Sequence, residues 1–307
     1  MKLLFTYLFF VFLLAGCNSD NKDNNSPPTE KGNQITGEIP NDPAPEAILT
    51  GEHGCDGCPD SDSIDFDLNL GNVTTHEFQG SIINAEGNGE YFLISKDGRA
   101  ISGNILTNLD TNEYSIELPL FCGEQTFKTV WSNLAGKFVS VTKILTENCI
   151  APDIRIILSW DDIGIDWELH LVKEDGRIND NSTDCTWTSC ITSSPDWGVL
   201  GVETDNPKKD VDNTGNFGPE NIYLSNPENQ TYTIMVEHWN GNGSNESDGK
   251  VIVLTKNTSH IFSIQDLPPF HVWTVATIKW PDTTITPVNS LYDCSENWSG
   301  GCKSEIP

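Results

Sequence analysis

The chain has 307 residues, with 45 acidic against 17 basic side chains and a formal charge of −28. That much negative charge argues against nucleic acid or anionic lipid headgroups as partners. Nine tryptophans and ordinary apolar content set it apart from a disordered acidic tail, and the length beyond the N-terminal region suits two β-domains.

The chain opens Met1-Lys2, followed by an apolar run from Leu3 to Leu14 and then Ala15-Gly16-Cys17. A basic start, a short apolar core and small residues before a cut site predict a secretory signal peptide over residues 1–16. The run falls short of the roughly 20 apolar residues a spanning helix needs. Leu14-Ala15-Gly16-Cys17 resembles the lipobox of bacterial lipoprotein precursors, which implies cleavage before Cys17 and lipidation of that cysteine. Several acyl chains then anchor the protein stably, each buried methylene contributing about 0.8 kcal/mol. Loss of Lys2 with the signal takes the formal charge from −28 to −29. Asn18 is not the aspartate that retains lipoproteins at the inner membrane of enterobacteria, which favours the outer membrane. The run Ser19 to Asn25 is similar to the surface-export signals of Bacteroidota lipoproteins.

Residues 17–65 are rich in Asn, Asp, Pro and Gly and predict a disordered acidic tether. Beyond it, Phe78–Ile83, Tyr91–Ile94, Tyr114–Leu118 and Phe138–Val141 are short β-prone runs, and Asp97-Gly98 is a turn signal. No stretch sustains apolar periodicity near 3.6 residues, so long helices are not expected. Residues 66–150 are similar in style to bacterial immunoglobulin-like modules, especially at Tyr114–Cys122 and Val130–Gly136. Such modules usually act as spacers.

Setting Cys17 aside leaves an even set of cysteines in an exported chain, which reads as disulfides. Spacing suggests Cys55 with Cys58, Cys122 with Cys149, Cys185 with Cys190, and Cys294 with Cys302, one of many connectivities that so many cysteines allow. Cys55-Asp56-Gly57-Cys58 has redox or zinc spacing, but no βαβ pattern surrounds it and no second CxxC follows.

A second β-region follows. Ile154–Trp160 is a strand, Asp161–Gly164 a turn, and Ile165–Leu171 alternates strictly. Period two places Asp166, Glu168 and His170 on one face, opposite Trp167, Leu169 and Leu171. Asp210 through Ile222 forms an oxygen-rich loop with glycines and a proline. Later runs at Thr231–Trp239, Lys250–Leu254 and Trp273–Ile278 are strand-like.

Ser159-Trp160-Asp161, Asp166-Trp167-Glu168-Leu169-His170 and the Asp210–Asn221 loop together resemble the YfaP-like family of bacterial envelope domains. The resemblance covers about Ile154 to Pro281. It implies a β-sandwich, mostly of unassigned function, at the envelope or in secreted multidomain proteins. Glu168 stands where that family usually has aspartate. The Asp184–Cys190 stretch and Pro195–Gly198 look like an insertion seen in some surface-protein members.

Calcium takes six to eight oxygens at roughly 2.3–2.6 Å. Asp161, Asp166, Asp210, Asp212, Asn213 and Glu220 supply such a set if the two motifs meet. The alternative is that these residues close turns through side-chain-to-backbone bonds. His170 has two readings also, a transition-metal ligand or a hydrogen-bond donor to a neighbouring carboxylate. Neither HExxH nor GxSxG occurs, and no glycine-rich phosphate loop is present. Trp160, Trp167 and Trp273 sit in strand-like runs and are expected in the core. Trp187 and Trp197 lie in the polar insertion and are the expected surface contacts for a glycan or protein. Residues 286–307 read as a disulfide-closed tail.

These readings predict an all-β chain: a disordered N-terminal tether, then two consecutive antiparallel β-sandwiches, 66–150 and 151–285. The expected function is a lipid-anchored, non-enzymatic binding or adhesion protein of the cell envelope, at the outer membrane or surface. A hydrolase built on the strand and loop carboxylates, and a purely structural envelope protein, are the alternatives.

Overall fold

The computed structural model describes residues 56–61, 67–191, 195–239, 246–256, 258–297 and 302. The signal peptide, Cys17, Cys55 and nearly all of the expected tether lie outside them. The described residues fall within one compact unit.

The first sandwich contains β1 (Asp67–Gly71), β2 (Thr75–Ser81), β3 (Gly89–Ser95), β4 (Ala100–Ile105), β5 (Thr107–Asn108), β6 (Glu113–Pro119), β7 (Gly123–Ser132) and β8 (Lys137–Thr146). One sheet runs β1-β8-β7-β3-β4 and the other β2-β6-β5. All pairs are antiparallel except β1 with β8. Asp97-Gly98 forms the turn between β3 and β4, with Gly98 at φ 89°, a conformation that favours glycine. Along β3, Tyr91 and Leu93 enter the core, while Phe92 lies half-buried on the opposite face.

The second sandwich contains β9 (Ile154–Trp160), β10 (Asp166–Lys173), β11 (Asp184–Cys185), β12 (Lys208–Val211), β13 (Glu220–Leu224), β14 (Thr231–Trp239), β15 (Ser247–Thr255), β16 (Ser259–Leu267), β17 (His271–Lys279) and β18 (Thr284–Asp293). Its two antiparallel sheets run β11-β10-β14-β17-β18 and β12-β13-β9-β15-β16. Trp160, Trp167, Tyr232 and Trp273 fill the space between them, with Ile, Leu and Val side chains from both sheets. The chain is thus all-β, two consecutive sandwiches.

Two features depart from the sequence reading. Residues 284–293 pair along β17 as an edge strand, so the first part of the expected tail belongs to the sheet. Alternation there is weak because most of β18 is exposed, and an edge strand bound by backbone alone leaves little apolar pattern. The two sandwiches also share apolar packing. Every residue of β9 is buried. Ile154, Ile156 and Leu158 enter the second core, whereas Ile157 joins the cluster of the first, with Ile252, Leu254 and Ile261. Polar links cross the same junction: Arg155 Nη1 donates to the Leu120 carbonyl, Arg99 Nη1 to that of Thr255 at 3.3 Å, and Lys250 Nζ to Ser102 Oγ at 2.8 Å.

Cys122 is bonded to Cys149, Cys185 to Cys190, and Cys294 to Cys302. These are three of the pairs that spacing suggested. The fourth involves Cys55, outside the described residues.

Candidate functional site

On β10, Trp167, Leu169 and Leu171 point into the core, as period two requires. The opposite face is covered as well. Glu168 and His170 are both buried, beneath the segment joining β10 to β12. Glu168 Oε1 accepts from Thr186 Oγ1, from the Trp187 backbone N–H at 2.9 Å, and from Lys209 Nζ at 2.7 Å.

Lys209 is the centre of this arrangement. Its buried ammonium lies 2.7 Å from Glu168, 2.8 Å from Asp212 and 3.0 Å from Glu220. One oxygen from each of those carboxylates falls within 4.8 Å of the others, close enough to share a cation. Glu220 Oε2 also accepts the Leu169 N–H at 2.7 Å, tying β13 to β10 across the sandwich. Burial alone would drive the proton off Lys209, but the charges of Glu220, Glu168 and Asp212 hold it above its ordinary value. One ammonium does not neutralise every carboxylate nearby. Burial, then repulsion from Glu168 and Asp212, raises Asp166 to about 6 despite the attraction of Lys209. Glu220 is raised well above its usual range, chiefly by burial, with Lys209 opposing and Glu168 and Asp212 reinforcing.

Of the side chains expected to gather round calcium, only Asp212 and Glu220 meet here, with Asp166 near enough to feel their charge. Asp161 instead accepts from Ser247 Oγ and the Asp248 N–H, both at 2.8 Å, fastening the turn after β9 to β15. Asn213 accepts from the Gly215 and Asn216 N–H groups at 3.3 and 3.0 Å and donates to the Gly218 carbonyl at 3.0 Å, which is turn chemistry. Asp210 accepts from Asn221 Nδ2 and feels the charge of Arg155. The register between β12 and β13 slips between Lys209 and Val211. Such a bulge breaks strict alternation, so Asp210 and Asp212 do not share a face. The six-ligand set is therefore divided, and a lysine occupies the place where two of its members, Asp212 and Glu220, converge with Glu168.

A second buried charge cluster lies further along β10. His170 Nδ1 is 2.8 Å from Asp184 Oδ2, and its Nε2 is 3.4 Å from Glu237 Oε2. Asn179 bonds both acids: its N–H donates to Asp184 at 2.7 Å and its Nδ2 to Glu237 at 3.3 Å. The Cys302 N–H donates to Glu237 Oε1, so the C-terminal disulfide loop closes this pocket. Burial opposes a charge on His170, but Asp184 and Glu237 outweigh it and push the imidazole up to about 10. His170 is thus an internal cation bonded to carboxylates, the hydrogen-bonding reading of its sequence position.

The two insertion tryptophans separate. Trp197 is only 2% exposed, which overturns its expected surface role. It stacks on Tyr232 with centroids 5.9 Å apart, lies under the Lys173 ammonium, and donates from Nε1 to the Ser182 carbonyl at 3.0 Å. A polar stretch still needs an apolar pin to lie down on a sheet, and Trp197 is that pin. Trp187 is 42% exposed, as are Ile191, Val199, Leu200 and Val202 to varying degrees.

An open groove of about 520 Å³ runs between the sandwiches, lined by Phe92, Ser102 and Asn104 on one side and by Lys250, Ser263 and Gln265 on the other. Lys209, Asp184, Glu237 and Phe92 were not singled out in the sequence.

No family model matches the chain, and no curated protein does. Among solved structures, a chimeric titin Z1Z2 carrying an exogenous decorin peptide is 10% identical, with a TM-score of 0.24 over 67% of this chain and 94% of that one. Tandem Ig repeats of Dlar are 9% identical, with a TM-score of 0.23 over 69% and 97%. The overlap is shallow, and the two-sandwich architecture rests on the sheets described above.

Proposed function

We propose that this chain is a lipid-anchored cell-envelope protein whose second sandwich is YfaP-like and whose fused pair of sandwiches forms a non-enzymatic module binding a glycan or protein. The observation that carries the binding reading is the junction: shared apolar packing and the Lys250–Ser102 bond hold an open groove between the two sandwiches. Ligand sites favour such interfaces. The strand and loop carboxylates that a hydrolase would draw on are instead engaged inside the fold, by Lys209 and by backbone donors. The anchor rests on Leu14-Ala15-Gly16-Cys17.

Cells producing the chain and fed an alkyne-labelled palmitate should yield labelled protein, and Cys17→Ser should abolish the label. External protease should then digest the protein on intact cells. Label surviving in Cys17→Ser would overturn the anchor. Hydrolysis of an oligosaccharide or ester substrate that is lost in Glu168→Gln would overturn the non-enzymatic reading.

A further inference from the structure

We propose that the groove between the sandwiches is a binding site for a short neutral oligosaccharide, an inference that rests on the binding reading above and gives it a place and a ligand class. Phe92 supplies the platform. It sits on the outer face of β3, half-buried, and stacks with no other ring among the described residues. A partly exposed aromatic ring not stacked on another ring suits the C–H face of a sugar.

Around that platform are polar groups with no protein partner. Among the described residues, the side chains of Asn104, Ser263 and Gln265 make no hydrogen bond, though all three line the groove. They present both donors and acceptors from opposite walls, as sugar hydroxyls require. The walls are held at fixed spacing by the Lys250–Ser102 bond, so little ordering is needed on binding.

Charge narrows the class. Glu90, Asp161 and Asp248 line the same groove, and Lys250 is already engaged with Ser102. With the chain at −28 overall, an anionic sugar would be repelled. The volume of about 520 Å³ lies within the range of small-molecule sites, which is roughly 300–1,000 Å³, and accommodates more than one ring.

The test is calorimetric titration of the full mature chain, carrying Cys17→Ser for solubility, with cellotriose, maltotriose, xylotriose and mannotriose, and with trigalacturonate as the anionic control. At least one neutral trisaccharide should bind and trigalacturonate should not. Phe92→Ala and Gln265→Ala should each weaken binding about tenfold or more. Phe92→Tyr, which keeps the ring, should retain it, and Trp187→Ala should leave it unchanged. No binding by any neutral trisaccharide, equal binding of trigalacturonate, or full binding by a folded Phe92→Ala protein would each overturn the inference. Sugar binding lost in Trp187→Ala but kept in Phe92→Ala would move the site to the insertion and leave the wider binding reading standing. Failure of that reading's anchor shows separately, in the palmitate label.

Discussion

Lys209 is a fixed cation inside a set of acids, and its removal should be felt strongly. In Lys209→Met the chain stem is replaced but Glu168, Asp212 and Glu220 lose their ammonium. Breaking a buried ion pair by deleting one partner costs about 3–5 kcal/mol, readable as a lower urea midpoint at pH 7. The loss should shrink on acidification, because protonated carboxyls no longer need a counter-charge; a loss independent of pH would sink this account. Asp166 has the opposite sign. Its folded pKa, about 6, lies above the ordinary 3.8, so its favourable contribution is complete below pH 4 and disappears as pH rises through 6. Asp166→Asn should therefore be more stable than the parent above pH 6, by about 1 kcal/mol after solvent screening, and indistinguishable below pH 4. His170, raised from 6.5 to about 10, stabilises fully below pH 6.5 and loses that contribution as pH climbs through 10. Melting temperature should fall across that window in the parent, and the fall should be absent in His170→Gln. The alternation of Ile165–Leu171 made both faces of β10 legible. What it could not convey was that the acidic face would be roofed, because a roof made from Asp184, Thr186, Trp187 and Cys302 is a tertiary fact.

At the scale of elements, the same limit recurs. The insertion was visible as a polar, cysteine-closed stretch, but its two tryptophans looked alike in sequence. Trp197 is pinned because Tyr232 on β14 offers a ring and Lys173 a cation, and neither is near in sequence. Trp197→Ala should release the insertion from the sheet beneath it. Removing a buried aromatic costs about 3–5 kcal/mol, and hydrogen exchange should quicken over 178–206 while β14 and β17 stay protected. Uniform loss of protection would show that the insertion is not a separate layer. Of the oxygen-rich loop, Asn213 closes a turn, while its ends, Asp210–Val211 and Glu220–Ile222, are strand. The bulge at Asp210 was not readable, since a one-residue slip leaves no mark in composition and yet it dismantles the calcium set.

For the whole molecule, the sequence showed two β-regions and left their relation open. Ile157, Ile252 and Leu254 looked like ordinary strand residues, because a strand buried on both faces reads only as a continuous apolar run, and the strand carrying Ile261 was not read at all. Their packing into the first core means neither sandwich can leave without exposing that layer. Each buried isoleucine or leucine contributes about 1.5–3 kcal/mol relative to exposure, so the junction rivals the roughly 5–15 kcal/mol stability of a typical domain. The two sandwiches should then unfold together. Hydrogen exchange in rising denaturant should give β7 of the first sandwich and β14 of the second one common opening free energy. Ile252→Asp, which puts a charge into the shared layer, should split that single transition into two, with the groove's sugar affinity lost at the first. Two transitions already present in the parent would mean that the layer is contact without coupling, and the groove would no longer be a fixed site.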